Sequence, residues 1–426
     1  MKTIGIVAEY NPFHNGHLYQ LQASRQQAGA ECAVVVMSGN YTQRGEPAIV
    51  DKWARAEMAL HSGADLVIEL PVAYAMGSAE YFAYGAVKLL DSLGAIDMIC
   101  FGSEAGSIDN LSAAARILAD EPENYRSYLK EFLSEGISFP AARQKAISLY
   151  AKSIYGKDHL SSLLKSPNNI LGIEYLKALL RLKSNIIPMT IERIGSNYNS
   201  AELSGNMSSA TSIRKILNDN GWDNARELLA NTIPKCSADI MDRQFEDGKG
   251  PIFPENYEMP LISALRKMSL EEIKLLPYME EGLEYRIRLA AEKAGSYSEL
   301  LDMIGTRRYT NTRIQRILFS MLIGLTREKF DYFNSIGGPA YIRILGFSRT
   351  GRKLLASVRK SAALPLITKT ADHKSSQLPG VADMLALEAA ATDQYVLGYQ
   401  SKNFRKSGND YTHGVIFCDV DHTKSE

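Results

Sequence analysis

Short runs of apolar, β-branched residues alternate with helix-period segments through the first half of this chain, and that alternation constrains its fold more than any other feature. Strands that read as near-continuous Val, Ile and Leu are buried on both faces, which requires helices above and below a parallel sheet. Five such runs stand out: Thr3–Ala8, Cys32–Met37, Leu66–Leu70, Met98–Phe101 and Ile187–Ile191. Helical patterns separate them at His17–Ala28, Lys52–His61, Ala79–Ser92, Leu111–Ala119 and Ile170–Lys183. Right-handed crossovers wind such a chain into a Rossmann-like, doubly wound α/β sheet whose ligands sit at the carboxyl ends of the strands. A helical insertion, Glu121 to Lys165, falls between the fourth and fifth strands and is expected to cap that end.

Beyond Thr211 the strand signal fades. Ser212–Asn220, Glu271–Leu276, Glu281–Ala294, Arg313–Leu325 and Gly351–Arg359 carry helical periodicity, so the second half reads as mainly α. The Gly- and Pro-rich stretch from Gly248 to Pro260 reads as a linker, and Tyr395–Tyr399 with Val415–Asp419 as a small terminal strand pair. At 426 residues the chain exceeds one ordinary core. The expected division is an α/β domain over residues 1–220 and a mainly helical region over 221–426.

Apolar residues make up 45% and charged residues 23% of the chain, which excludes extended disorder. There is no basic leader with a cleavage site and no run of membrane-spanning length, which points to a cytoplasmic protein with no membrane association. Cys32, Cys100, Cys236 and Cys418 lie far apart without CxxC spacing, so neither a zinc site nor a disulfide framework is expected. The net charge of zero hides a polarity. Residues 303–374 carry fourteen Lys plus Arg against three Asp plus Glu, so the remainder carries an equal acidic excess.

The first strand runs into Glu9-Tyr10-Asn11-Pro12-Phe13-His14-Asn15-Gly16-His17, where a helix is expected to begin. Two imidazoles therefore sit at a helix N-terminus, where unpaired N–H groups and the helix dipole favour an anion. Gly16 leaves room for a phosphate, and Asn11 with Pro12 stiffens the turn. The imidazoles can donate hydrogen bonds to phosphoryl oxygens as charge develops. The plainer alternative is a pair of surface histidines in a strand-to-helix loop.

In this setting the HxGH motif resembles that of the HIGH-type nucleotidyltransferases, which bind ATP and transfer AMP. Their second signature, ISSTxIR, is matched by Ser209-Ala210-Thr211-Ser212-Ile213-Arg214, with Ala210 in place of a serine. Thr211 is placed to cap the following helix and Arg214 to reach the β,γ-phosphates. Further stretches are similar to the bacterial tRNA(Met) cytidine acetate ligases: Met37-Ser38-Gly39-Asn40, Gln43-Arg44-Gly45-Glu46-Pro47, Phe101-Gly102-Ser103-Glu104 and Ser166-Pro167-Asn168-Asn169-Ile170-Leu171-Gly172. That resemblance implies an AMP-forming ligase, with ATP and magnesium, that activates acetate to acetyl-adenylate. The acetyl group then passes to the wobble cytidine of elongator tRNA(Met), and no protein partner is implied. It places ATP on the run Val7, Ala8, Glu9, Tyr10, Asn11, Pro12, Phe13, His14, Asn15, Gly16, His17, Leu18, Tyr19 and Gln20. Gly102, Asn168, Asn169, Arg193, Thr211 and Arg214 complete that site, with His14 and His17 as the catalytic pair.

Asn168 or Asn169 is expected to cap the helix near Ile170. Ser38, Gly39, Arg44 and Lys52 flank a loop after the second strand that is expected to bind acetate or a phosphate, with a plain surface loop as the alternative. No Cys or Ser nucleophile with a base partner is evident, which favours a mixed anhydride over an acyl-enzyme. In the basic region, Arg307, Arg308, Arg313, Arg316, Arg349, Arg352, Lys353, Arg359 and Lys360 are expected to contact tRNA, interleaved with Arg343, Tyr309, Tyr341 and Phe347. The sequence leaves two rivals: a nucleotidyltransferase that adenylylates a phosphorylated cofactor precursor, and a non-catalytic RNA-binding protein that senses nucleotide.

Overall fold

The computed structural model describes residues 1–156, 158, 160–193, 208–306 and 308–419. Its sheet contains β1 (Thr3–Ala8), β2 (Cys32–Ser38), β3 (Leu66–Leu70), β4 (Met98–Ser103), β5 (Ile187–Glu192), β6 (Ile342–Ser348), β7 (Leu366–Ile367) and β8 (Ile416–Cys418). The order is β5-β4-β1-β2-β3-β6-β7, and β8 shares the outer edge of β6 with β7. The five strands read from the sequence are the parallel set β5-β4-β1-β2-β3. All of β2 is buried, with Val34 and Val36 in one core and Ala33, Val35 and Met37 in the other, so helices cover both faces. The chain winds outward from β1 through β2 to β3 and then returns to β4. This reversal opens a crevice between the carboxyl ends of β1 and β4.

The second half is mainly helical, as expected, but its strand reading is corrected. β6 lies antiparallel to β3 and extends the sheet, although Arg343 and Gly346 interrupt its apolar pattern. The expected terminal strand pair is not formed. Tyr395 ends the helix Val381–Tyr395, a 3-10 turn follows at Val396–Gly398, and only Ile416–Cys418 is extended, paired with β6. The expected linker is packed structure: Ile252 N–H donates to Ile49 O at 2.9 Å, and buried Tyr257, at the start of the helix Glu258–Lys267, donates its hydroxyl to Tyr395 O. Its glycines serve close approach, since a Cβ on Gly250 would lie 2.7 Å from the Phe245 ring.

The insertion forms the helices Glu123–Ser134 and Phe139–Tyr155, which pack on each other. None of its described residues lines the crevice, so it is not the expected cap. The helix Arg349–Val358 begins where Ser348 N–H donates to Asp65 O at 2.8 Å, just ahead of β3. Just beyond the helix, Ala363 N–H donates to Ser92 O, ahead of β4. The basic helix therefore lies at the amino end of the sheet, opposite the crevice. No helix among the described residues is long and apolar enough to cross a membrane.

Candidate functional site

The crevice is walled by the exit of β1 (Val7, Ala8, Glu9), the start of the helix Asn15–Ala28, Gly102 of β4, and the first turn of the helix Ala210–Leu229. His14 is the N-cap of Asn15–Ala28, and its Nδ1 accepts from Gly16 N–H at 3.1 Å. The His14 backbone N–H in turn donates to His17 Nδ1 at 3.3 Å. The two rings stack with centroids 3.7 Å apart, and Tyr10 presses edge-on against His17 at 4.8 Å. With both Nδ1 atoms accepting, the neutral rings carry their protons on Nε2, as donors for a ligand. Gly16 has a more local reason than phosphate access. A Cβ there would lie 2.9 Å from the His14 ring, so only glycine lets the imidazole fold back over this N–H.

Burial, reinforced by Arg193 and Arg214, lowers the His14 pKa from the usual 6.5 to about 3. Burial, then the charges of His14 and Arg193, lowers His17 well below that usual value. Burial raises the Glu9 carboxyl above 4.5, against the opposing Gln43 N–H bond of 2.6 Å. Two neutral imidazoles and a carboxyl raised by burial therefore face Arg44, Arg193 and Arg214, an arrangement that accepts a polyanion. Arg214 is held in place by Asn11 O at 2.9 Å and Glu46 Oε1 at 3.0 Å.

Of the residues singled out in the sequence, Val7, Ala8, Glu9, His14, His17, Gln20, Arg44, Gly102, Asn168, Arg193, Thr211 and Arg214 line the crevice. Gly16 and Tyr19 line its smaller side extension. Others support it from behind. Tyr10 and Phe13 are buried against His17, and Asn11 Oδ1 accepts from Ile49 N–H at 2.8 Å. Leu18 packs into the core, and Asn15 ties the loop to Asn231 and Thr232.

Several expected roles are corrected. The helix cap before Thr211 is Ser209, whose side chain accepts from Ser212 N–H at 3.1 Å, and Thr211 is instead exposed in the crevice. Neither Asn168 nor Asn169 caps the helix Pro167–Leu182; buried Asn169 accepts from Glu104 and Ala105 N–H and so fixes the loop after β4. Lys52 is not in the crevice. Fully buried, its Nζ bonds Glu69 and Asp410, each at 2.7 Å, and Arg343 closes the same cluster. The carbonyls of Ser38 and Gly39 are taken by buried Arg55.

Arg316 packs inward and donates to Gln43 O at 2.9 Å, while Arg313 and Arg308 pair with Glu280, and Arg349 with Asp419. Arg352 and Lys353 are exposed on the helix Arg349–Val358, and Arg359 and Lys360 are exposed just past its end rather than within it. Arg307 lies outside the described residues. The sequence reading missed Gln43, Phe82, Phe101, Leu171, Tyr175, Ser209 and Ala210 on the crevice wall. It also missed Arg55, which donates to the carbonyls of Glu9, Ser38, Gly39 and Val50 and ties the loops after β1 and β2 together. No local pattern marks such an arginine.

A doubly wound sheet with a stacked imidazole pair at the exit of β1 defines a HIGH-type nucleotidyltransferase, and the HIGH Nucleotidyl Transferase family model matches residues 1–410. The tRNA(Met) cytidine acetate ligase of Acetivibrio thermocellus is 50% identical, over 98% of this chain and 100% of that one. That of Caldanaerobacter subterraneus is 44% identical over the same shares. The crystal structure of Thermotoga maritima TmcAL bound with α-thio ATP superposes with a TM-score of 0.92 at 37% identity, covering 99% of this chain and 100% of that chain. The chain belongs to the tRNA(Met) cytidine acetate ligase family.

Proposed function

We propose that this chain joins acetate to ATP in the crevice, forming acetyl-adenylate, and then passes the acetyl group to the wobble cytidine of elongator tRNA(Met). The observation that carries the first step is the neutral, stacked His14–His17 pair facing three arginines. In that step an acetate oxygen attacks the α-phosphorus of ATP, the new P–O bond forms, and the bond to the β-phosphate breaks to release pyrophosphate. Nε2–H donors, fixed by the backbone before the reaction, stabilise the charge that grows on the phosphoryl oxygens. Arg214, held at the crevice edge by Asn11 O and Glu46, is assigned to the departing phosphates.

In the second step the exocyclic amine of the cytidine attacks the acetyl carbon. AMP leaves with the electron pair of the mixed anhydride, and the amine gives up a proton. Magnesium would arrive with the triphosphate, held by its oxygens. Arg44, on the crevice wall, marks the side assigned to acetate. The exposed cations Arg352, Lys353, Arg359 and Lys360 are assigned to the tRNA backbone. Since that helix lies at the amino end of the sheet, it would grip the tRNA away from the reacting base. The protein would work in the cytoplasm, where tRNA and ATP are found.

Incubating the purified protein with labelled acetate, ATP, magnesium and tRNA(Met), then digesting the tRNA to nucleosides, tests the whole reading. The label is expected in N(4)-acetylcytidine. Label in no nucleoside contradicts it.

A further inference from the structure

A second cleft opens at the carboxyl end of the sheet. One stripe of the helix Lys52–His61, including Asp51 at its cap and Trp53, faces the C-terminal residues 399–416 and the helix Lys235–Glu246 across it. The indole of Trp53 carries the imidazole of exposed His413 stacked on it, with centroids 4.2 Å apart and rings 17° from parallel. Phe404, 36% exposed, lies beneath the Lys249 ammonium at 4.0 Å. Gln244 is only 8% exposed, and its Oε1 has no hydrogen-bond partner among the described residues. A buried acceptor left unsatisfied is costly, and such a group at a cleft wall points to a donor supplied from outside.

The acidic groups here are already engaged. Asp51 accepts from Ala54 N–H and the Tyr399 hydroxyl, and Glu57 pairs with Arg243. The exposed Lys406 is left as the cation of the rim, with Lys402 and Arg405 beside it. The segment that carries Phe404, Lys406 and His413 is irregular but held by two buried anchors, Tyr399 on Asp51 and Asp410 on Lys52 and Arg343. Rings to stack on, a cation for a phosphate and a hidden amide acceptor together suit an unpaired nucleotide. The neighbourhood suits it as well: Arg55, two residues beyond Trp53, donates to the Glu9 carbonyl of the catalytic crevice at 2.7 Å. Only the first turn of one helix, a body of about 10–12 Å, separates the two sites.

We propose that this cleft holds an unpaired nucleotide of the tRNA, flipped onto His413 and Phe404, while the cytidine reacts next door. The proposal rests on the functional reading above. It differs from the basic helix at the amino end, because here one nucleotide is held by its base as well as its phosphate.

The test uses the full-length protein and its His413→Ala, Phe404→Ala and Lys406→Ala variants. Affinity for tRNA is read by fluorescence anisotropy, and acetate-dependent pyrophosphate exchange into ATP is read separately. Loss of either ring is expected to weaken tRNA binding about tenfold, the scale of one base stack. Lys406→Ala is expected to lower the slope of log affinity against log salt by about 0.7. Exchange should stay at the wild-type level in all three, which shows that the variants are folded. Unchanged tRNA affinity in both ring variants overturns the cleft. Wild-type protein that binds tRNA through these rings yet acetylates no cytidine contradicts the functional reading and leaves the cleft standing.

Discussion

Arg214 and Lys52 both read, in the sequence, as cations for an anionic ligand, yet their surroundings separate them. Arg214 is held by one carbonyl and one carboxylate at the edge of the crevice, where the neighbouring polar groups face open space. Lys52 is sealed in a closed set with Glu69, Asp410 and Arg343, two cations against two carboxylates. Burial alone would raise the Asp410 carboxyl, but Lys52 and Arg343 outweigh it and hold the pKa at about 2. Glu388, beside them, is raised well above 4.5, first by burial and then by the Glu69 charge. A site awaiting a ligand leaves its polar groups turned outward, whereas a cluster that joins distant segments turns them on one another. The cluster does join distant segments: Lys52 and Asp410 are 358 residues apart in the chain.

The largest effect should come from opening the closed set. Lys52→Ala leaves Arg343 as the one cation against two buried carboxylates and is expected to cost about 3–5 kcal/mol of stability in urea unfolding. Arg214→Ala should leave the unfolding midpoint nearly unchanged and instead impair pyrophosphate exchange. A Lys52→Ala protein of normal stability with impaired exchange would erase the contrast. Next come the histidines. His14→Ala or His17→Ala is expected to slow acetyl-adenylate formation about a hundredfold, or ~2.7 kcal/mol, with the fold intact by circular dichroism. Wild-type rates in both would reduce the pair to a structural cap of the helix Asn15–Ala28.

The basic helix should have a smaller effect, on tRNA alone. Combining Arg352→Ala, Lys353→Ala, Arg359→Ala and Lys360→Ala is expected to spare exchange and weaken tRNA binding. The salt slope should fall by about 0.7 for each phosphate that is no longer neutralised, so the size of the fall tells how many of these cations touch the RNA backbone. An unaltered slope would leave the RNA on the carboxyl side only.

The smallest effect is the acid response, and the two regions should divide it. Below pH 6.5 the unfolded chain takes up a proton that folded His14 refuses, so stability falls as the pH drops from 6.5 toward about 3. Asp410 has its folded pKa depressed from 3.8, so its contribution is present above 3.8 and is lost as the pH falls through about 2. His14→Gln should make the upper window shallower, leaving the share of His17, and Asp410→Asn should flatten the lower one in unfolding measured against pH. One substitution that flattens both would mean the regions titrate as one.

The parallel half of the fold was legible because each of its strands is a run of β-branched residues buried on both faces, a pattern that needs no knowledge of its neighbours. The crevice wall was legible where chemistry and spacing coincide, at His14, His17, Thr211 and Arg214. Legibility failed where the partner is remote. Arg343 and Gly346 disguised β6, although its pairing with β3 is what buries Arg343 against Glu69. Arg316 read as an RNA contact, but a Cβ on Gly45 would lie 2.4 Å from its backbone nitrogen, so the loop at Gln43 packs directly on it. Asn169 and Thr211 stand near helix starts, and which hydroxyl or amide caps the helix depends on a turn geometry that composition does not encode.

Pyrophosphate exchange by the wild-type protein in the absence of tRNA tests the central claim most directly, because it isolates the reaction assigned to the His14–His17 crevice. With magnesium present, label should pass from pyrophosphate into ATP only when acetate is added, and acetyl-CoA should not replace acetate. Acetylation of tRNA from acetyl-CoA without ATP, together with no acetate-dependent exchange, would contradict it.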